Sequence, residues 1–304
     1  MPNDMAQSRA KRYTPRRMIR FVPLGVALAL LVPGPAPAQN RPAPAVETFP
    51  APPRPVPPRP VTRLEAPAEA RGDYDRCLAR AAREPEAAYE DAMGWARARG
   101  GGEPALHCAA IALYAQGRFR ASAAAFTDLA ERTRDRRPTL RASLVSQAGH
   151  AWMIAGEPER ALAAFTAASA IAPEAPVFRL DRAEALAALG QDWEAIDELD
   201  RAVDLDPRRG EVYTLRAAAY RKVDALDLAA EDARRAVELA PRLADAWLER
   251  GIVNRLKGDK PAARRDFREV LILDPEGEAG DIARANIERM ELESGPPVGR
   301  GQRR

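Results

Sequence analysis

Four prolines, Pro173, Pro207, Pro241 and Pro275, recur at one fixed interval, and each closes a run of helical character: AIAP, DLDP, ELAP and ILDP. So regular a period dictates an array of like units, because one hairpin of short helices cannot bury its apolar face alone and has to stack on neighbours. Other positions keep the same register. Turn glycines fall at Gly156, Gly190 and Gly258, with Asp224 in the corresponding place, and alanines follow at Ala161, Ala195, Ala229 and Ala263. Gly149, Ala183, Ala217 and Gly251 put small residues on the first helix of each unit, where two backbones must approach closely. Phe165 and Phe267 then fill the space between hairpins. Proline ends the second helix because its ring and missing N–H cannot extend the hydrogen-bond ladder. From Asp73 to Ser294 alanine and leucine recur at three- and four-residue spacing, and no segment alternates with period two.

Trp152-x3-Gly156 with Ala161-x3-Phe165 and Pro173, and Trp247-x3-Gly251 with Gly258, Ala263-x3-Phe267 and Pro275, resemble the tetratricopeptide repeat family. The resemblance implies an all-α fold, a right-handed superhelical solenoid of antiparallel helix hairpins. Units are expected at 142–175, 176–209, 210–243 and 244–277. A weaker unit covers 103–136, with Gly117, Phe119 and Phe126 in register and Ser122 where alanine is usual, and residues 137–141 separate it from the next. Residues 71–102 read as a degenerate helix pair split near Pro85, and 278–294 as a capping helix.

The flanks carry a different message. Residues 18–38, MIRFVPLGVALALLVPGPAPA, have a basic start, a short apolar run from Phe21 to Val32, and Ala36-Pro37-Ala38. That is the layout of a secretory signal with cleavage after Ala38, Met18 being an alternative start. The apolar run is too short to cross a ~30 Å hydrocarbon core as a helix, which disfavours the other reading, an uncleaved anchor. A periplasmic or secreted location is therefore expected. Residues 39–70 hold ten prolines and read as an extended, disordered linker, and 295–304 as a basic disordered tail.

The positive net charge of +3 is concentrated in those flanks, leaving 71–294 acidic. An acidic body repels phosphate, so nucleic acid is an unsuitable partner. No phosphate loop, zinc-protease helix or nucleophile elbow is present, so no enzyme, cofactor or metal site is expected. Acidic positions such as Asp197, Glu198 and Asp200 read as solvated charge. His107 and His150 read as groove-lining or polar structural residues, His107 alternatively sitting beside a cystine. Cys77 and Cys108, close to one repeat apart on the first helices of adjacent hairpins, are expected to form a disulfide in an oxidising compartment.

In the family, first-helix side chains line a concave groove that binds peptides or helices. The corresponding positions here are Ile111, Tyr114, Ser146, His150, Met153, Leu180 and Glu184, then Thr214, Arg221, Leu248 and Arg255. They imply a groove apolar at its N-terminal end and cationic at its C-terminal end, suited to a protein or peptide client with an acidic end. The carboxylate-clamping lysines and asparagines of the chaperone-binding subset are replaced by Ser146, His150, Asp181, Glu211 and Leu215. A non-enzymatic scaffold of the cell envelope is the function this implies. The alternative is an accessory, chaperone-like factor for maturation or assembly of an envelope protein such as a cytochrome, outer-membrane or pilus component.

Overall fold

The computed structural model describes residues 64, 66, 68–98, 101–133 and 137–294. The expected signal, nearly all of the Pro-rich segment and the basic tail lie outside the described residues. Thirteen helices and no strand occur among the described residues: α1 Ala68–Ala81, α2 Pro85–Arg97, α3 Gly102–Ala115, α4 Phe119–Arg132, α5 Pro138–Ile154, α6 Pro158–Ile171, α7 Pro176–Ala188, α8 Asp192–Leu205, α9 Gly210–Lys222, α10 Leu226–Leu239, α11 Ala244–Leu256, α12 Lys260–Leu273 and α13 Glu278–Ser294. Each helix packs on the next, and first helices also touch across repeats, α5 on α7, α7 on α9, α9 on α11 and α11 on α13. None of these helices is long and apolar enough to cross a membrane.

Local chemistry sets the helix ends. Ala172, Asp206, Ala240 and Asp274 each leave the helical region, with φ between −143 and −132° and ψ between 66 and 87°. The repeating proline follows each of them, and its ring disfavours the α region for the residue before it. Proline also opens helices: Pro85, Pro138, Pro158 and Pro176 stand in the first turn, where a missing N–H costs nothing. The turn within each of the five hairpins from α3 to α12 holds a left-handed residue. Gly117, Gly156, Gly190 and Gly258 supply it with φ of 73, 74, 73 and 87°, and Asp224 adopts φ 60° in the same place.

The crossing residues are as packed as the spacing requires. Ala161, Ala195, Ala229 and Ala263, with Phe165 and Phe267, are 0% exposed. A methyl added to Gly149 would lie 2.4 Å from Phe165 Cε1, and one on Gly251 would lie 2.7 Å from Phe267 Cε1. Three boundaries differ from expectation. Residues 138–141 are the first turn of α5 and not a spacer. The last three residues of the Pro-rich segment, 68–70, begin α1. Leu64 and Ala66, 6% and 7% exposed, pack into the N-terminal core, which also contains Tyr74, Cys77, Cys108 and Phe126. Apolar residues near the end of a proline-rich segment gain burial once a helix is there to receive them.

Candidate functional site

The eleven expected groove residues divide by register into groups with different fates. Ser146, Leu180, Thr214 and Leu248 occupy one register position in four successive repeats. They do not line an open groove: they are 5%, 0%, 8% and 8% exposed. This register turns toward the neighbouring hairpin. Ser146 Oγ donates to Asp181 Oδ2 of the next first helix at 2.6 Å. Leu180 packs with Ala183, Leu199 and Val212, and the Thr214 hydroxyl bonds back to the Gly210 carbonyl at 3.2 Å. At the N-terminal end Ile111 and Tyr114 are half-buried against the core, and Tyr114 meets Phe119 edge-on with ring centroids 5.1 Å apart.

The other two registers stay partly open. Met153, Arg221 and Arg255 share one, with Ala187, and His150 and Glu184 share the other; all five expected residues are half-buried. Arg221 is held bidentately by Glu249, Nε to Oε1 at 2.6 Å and Nη2 to Oε2 at 3.1 Å. Burial, then the charge of Arg289, pulls the Arg255 guanidinium below its ordinary pKa, with Glu293 opposing and Arg221 adding to the effect. Arg221 and Arg255 both stand on the C-terminal half of this face, and Glu249 offsets the charge of Arg221.

Between α5 and α7 the sequence reading missed a polar cluster. His150 Nε2 lies 3.5 Å from Asp181 Oδ1, the Asp181 side chain being 1% exposed. Glu184, one turn further along α7, joins them, so that ligand atoms of His150, Asp181 and Glu184 all lie within 4.8 Å of one another. His150 also meets Phe165 edge-on at 5.0 Å. His150, read from the sequence as a groove-lining or polar structural residue with no metal site expected, thus has two carboxylate neighbours.

Glu198 is also not solvated. It is 2% exposed, and three guanidinium groups surround it: Arg201 at 2.6 Å, Arg179 at 3.3 Å and Arg182 at 3.4 Å. The motif repeats. Arg216 meets Asp232 at 2.7 Å and Arg250 meets Asp266 at 2.6 Å, each pair reaching from a first helix to its second. Both pairs stand in register with Arg182 and Glu198, one and two repeats further on. An available signal was that Glu198 shares the helical face of buried Ala195 and Ala202. In the preceding unit, Ala148 and Ala164 take these places.

Cys77 and Cys108 form a disulfide joining α1 to α3, with Cα atoms 6.2 Å apart. His107, beside it in sequence, is not groove-lining but 0% exposed. Leu64 N–H donates to Tyr74 Oη at 3.2 Å, and Tyr74 Oη lies 2.7 Å from His107 Nδ1. A Tyr74 hydroxyl that donates onward places the imidazole proton on Nε2. Burial lowers the His107 pKa to about 4.

Residues 153–219 match the tetratricopeptide repeat family model. Among solved structures the chain is similar to a thermophilic TPR protein of Thermus thermophilus, at 18% identity over 63% of this chain and 100% of that one, with a TM-score of 0.52. It is also similar to MamA from Desulfovibrio magneticus RS-1, at 21% identity over 60% and 99% of the two chains and a TM-score of 0.47. YrrB, a TPR protein with an unusual peptide-binding site, aligns at 18% identity over 66% and 99%, with a TM-score of 0.44. No curated protein matches the sequence. The fold is that of an all-α, TPR-like helical solenoid.

Proposed function

We propose that this protein is a non-enzymatic interaction scaffold of the cell envelope that holds a client peptide or helix along its first-helix face. The observation that carries the reading is the half-open register of Met153, Ala187, Arg221 and Arg255. The hairpins are held together by the buried registers on either side, so Met153, Ala187 and Arg255 present part of their surface to a partner, while Arg221 does so from its pair with Glu249. An apolar contact at Met153, whose flexible thioether adapts to varied surfaces, followed by arginines, suits a segment that begins apolar and ends acidic. The envelope location is supported by the signal-like residues 18–38 and by the Cys77–Cys108 bridge, which persists in oxidising compartments.

Photo-crosslinking in cells tests this. A crosslinker at Met153 should trap a defined client, and one at Trp193, 54% exposed on the second helix α8, should not. Equal capture at both places would rule out the groove. N-terminal sequencing of the exported chain should begin at Gln39; an intact N-terminus in the membrane pellet would favour an anchor.

A further inference from the structure

We propose that His150, Asp181 and Glu184 form a binding site for a divalent transition-metal ion that ties two successive hairpins together. The residues supply one imidazole nitrogen and two carboxylates, a donor set suited to Zn²⁺ and its neighbours and poorly suited to Mg²⁺ or Ca²⁺, which take oxygen ligands. Ligands about 2.1 Å from a tetrahedral ion stand roughly 3.4 Å apart. The separation of His150 Nε2 and Asp181 Oδ1, 3.5 Å, already has that value. Glu184 is within 4.8 Å of both and half-exposed, so a rotamer adjustment closes the third corner.

The surroundings orient these groups. Ser146 Oγ donates to Asp181 Oδ2 at 2.6 Å and turns Oδ1 toward His150. A partner of this kind holds a ligating carboxylate in place. Phe165 meets the His150 ring edge-on and limits its rotation. All three ligands sit on helices rather than loops, which favours defined geometry. Among the described residues the coincidence occurs at one junction. The register of His150 and Glu184 continues as Ala218 and Ile252, and that of Asp181 as Leu215 and Glu249, so the later junctions lack the set. His150 and Glu184 are part-exposed, which leaves the fourth position to water or to a donor from outside the chain.

The test uses the chelator-treated, disulfide-intact chain without a histidine tag, titrated with ZnSO4 by calorimetry and checked by elemental analysis after dialysis. One zinc per chain should bind, and melting temperature should rise with zinc concentration. His150→Ala should abolish the stoichiometric site. Glu184→Gln, an isosteric change at a half-exposed position, should leave the zinc-free chain folded while weakening zinc at least about tenfold, and Ser146→Ala should weaken it by roughly tenfold. MgCl2 and CaCl2 should not compete. Failure of the wild-type chain to bind zinc overturns the proposal. So does zinc affinity unchanged in both His150→Ala and Glu184→Gln, or equal affinity for Mg²⁺.

Discussion

Arg216 grips Asp232 with two parallel hydrogen bonds, Nε to Oδ2 at 2.7 Å and Nη2 to Oδ1 at 2.8 Å, from the first helix of a hairpin to its second. The pair is nearly sequestered, with side chains 14% and 8% exposed, and Arg216 also bonds Asp200 at 2.6 Å and lies over the Tyr213 ring. Removing one member of such a pair leaves a buried charge without its counter-charge, which costs more than the pair itself contributes. Asp232→Ala should lower stability by about 3 kcal/mol, read from the urea midpoint. Replacing both residues with apolar side chains of similar volume should cost less than the single change. A loss under half the expected value for Asp232→Ala would mean the pair is solvated.

The same reasoning changes what Glu198 implies. A solvated glutamate would tolerate truncation, but Glu198 is the shared counter-charge of Arg179, Arg182 and Arg201. Glu198→Ala should destabilise by roughly 2 kcal/mol. Ala195→Glu, which places a charge at a crossing with no space, should cost more. Denaturation midpoints of the two variants, compared side by side, decide the order.

His107 makes the N-terminal core acid-sensitive. In the unfolded chain it takes a proton near pH 6.5, but in the fold burial delays protonation to about pH 4. Stability fully present above pH 6.5 is therefore lost as the pH falls toward 4, by an amount on the order of 3 kcal/mol for complete protonation. His107→Gln should lose less stability than the wild type between about pH 7 and pH 4.5 in parallel urea titrations. Identical acid losses would show that carboxylates account for the whole effect.

The Cys77–Cys108 bridge closes a loop of 31 residues at the end of the array. In the chain-entropy account such a loop contributes about 3–4 kcal/mol. Dithiothreitol should lower the melting temperature of the N-terminal hairpins, followed by hydrogen exchange in α1–α4, and leave α9–α12 almost unaffected. Uniform loss of protection along the array would mean that it unfolds as one unit.

Asp224 occupies the left-handed turn position that glycine takes in four other hairpins. The left-handed conformation costs a residue with a Cβ about 1 kcal/mol or more, less for aspartate than for most. Asp224→Gly should be neutral to stabilising by about 0.5 kcal/mol. Gly190→Ala, the converse at the equivalent turn of the preceding hairpin, should destabilise by about 1 kcal/mol; the two thermal melts should move in opposite directions.

Much of the fold was legible because its determinants are local and periodic. Prolines at four repeat boundaries, glycines at four of the five turns and alanines at four crossings act within a single hairpin, so their meaning does not depend on distant chain. The inner face was less legible. Ser146, Leu180, Thr214 and Leu248 were placed on the correct helices, but whether a first-helix residue turns outward or toward the next repeat depends on the angle at which hairpins stack, and no local pattern states that angle. Met153 and Leu180 look alike in the sequence, yet one is half-open and the other completely enclosed.

The sequence by itself determined the helical hairpins, their order and the proline-marked ends of the regular repeats, and it put Cys77 and Cys108 about one repeat apart, because backbone geometry and a fixed repeat length leave few arrangements. Only the tertiary structure decided which charges are buried and which residues meet across repeats. Arg216 finds Asp232 and His150 finds Asp181 through stacking, and the cost of burying a charge depends on what lies within hydrogen-bond distance of it, a quantity that exists only once the neighbouring helices are in place.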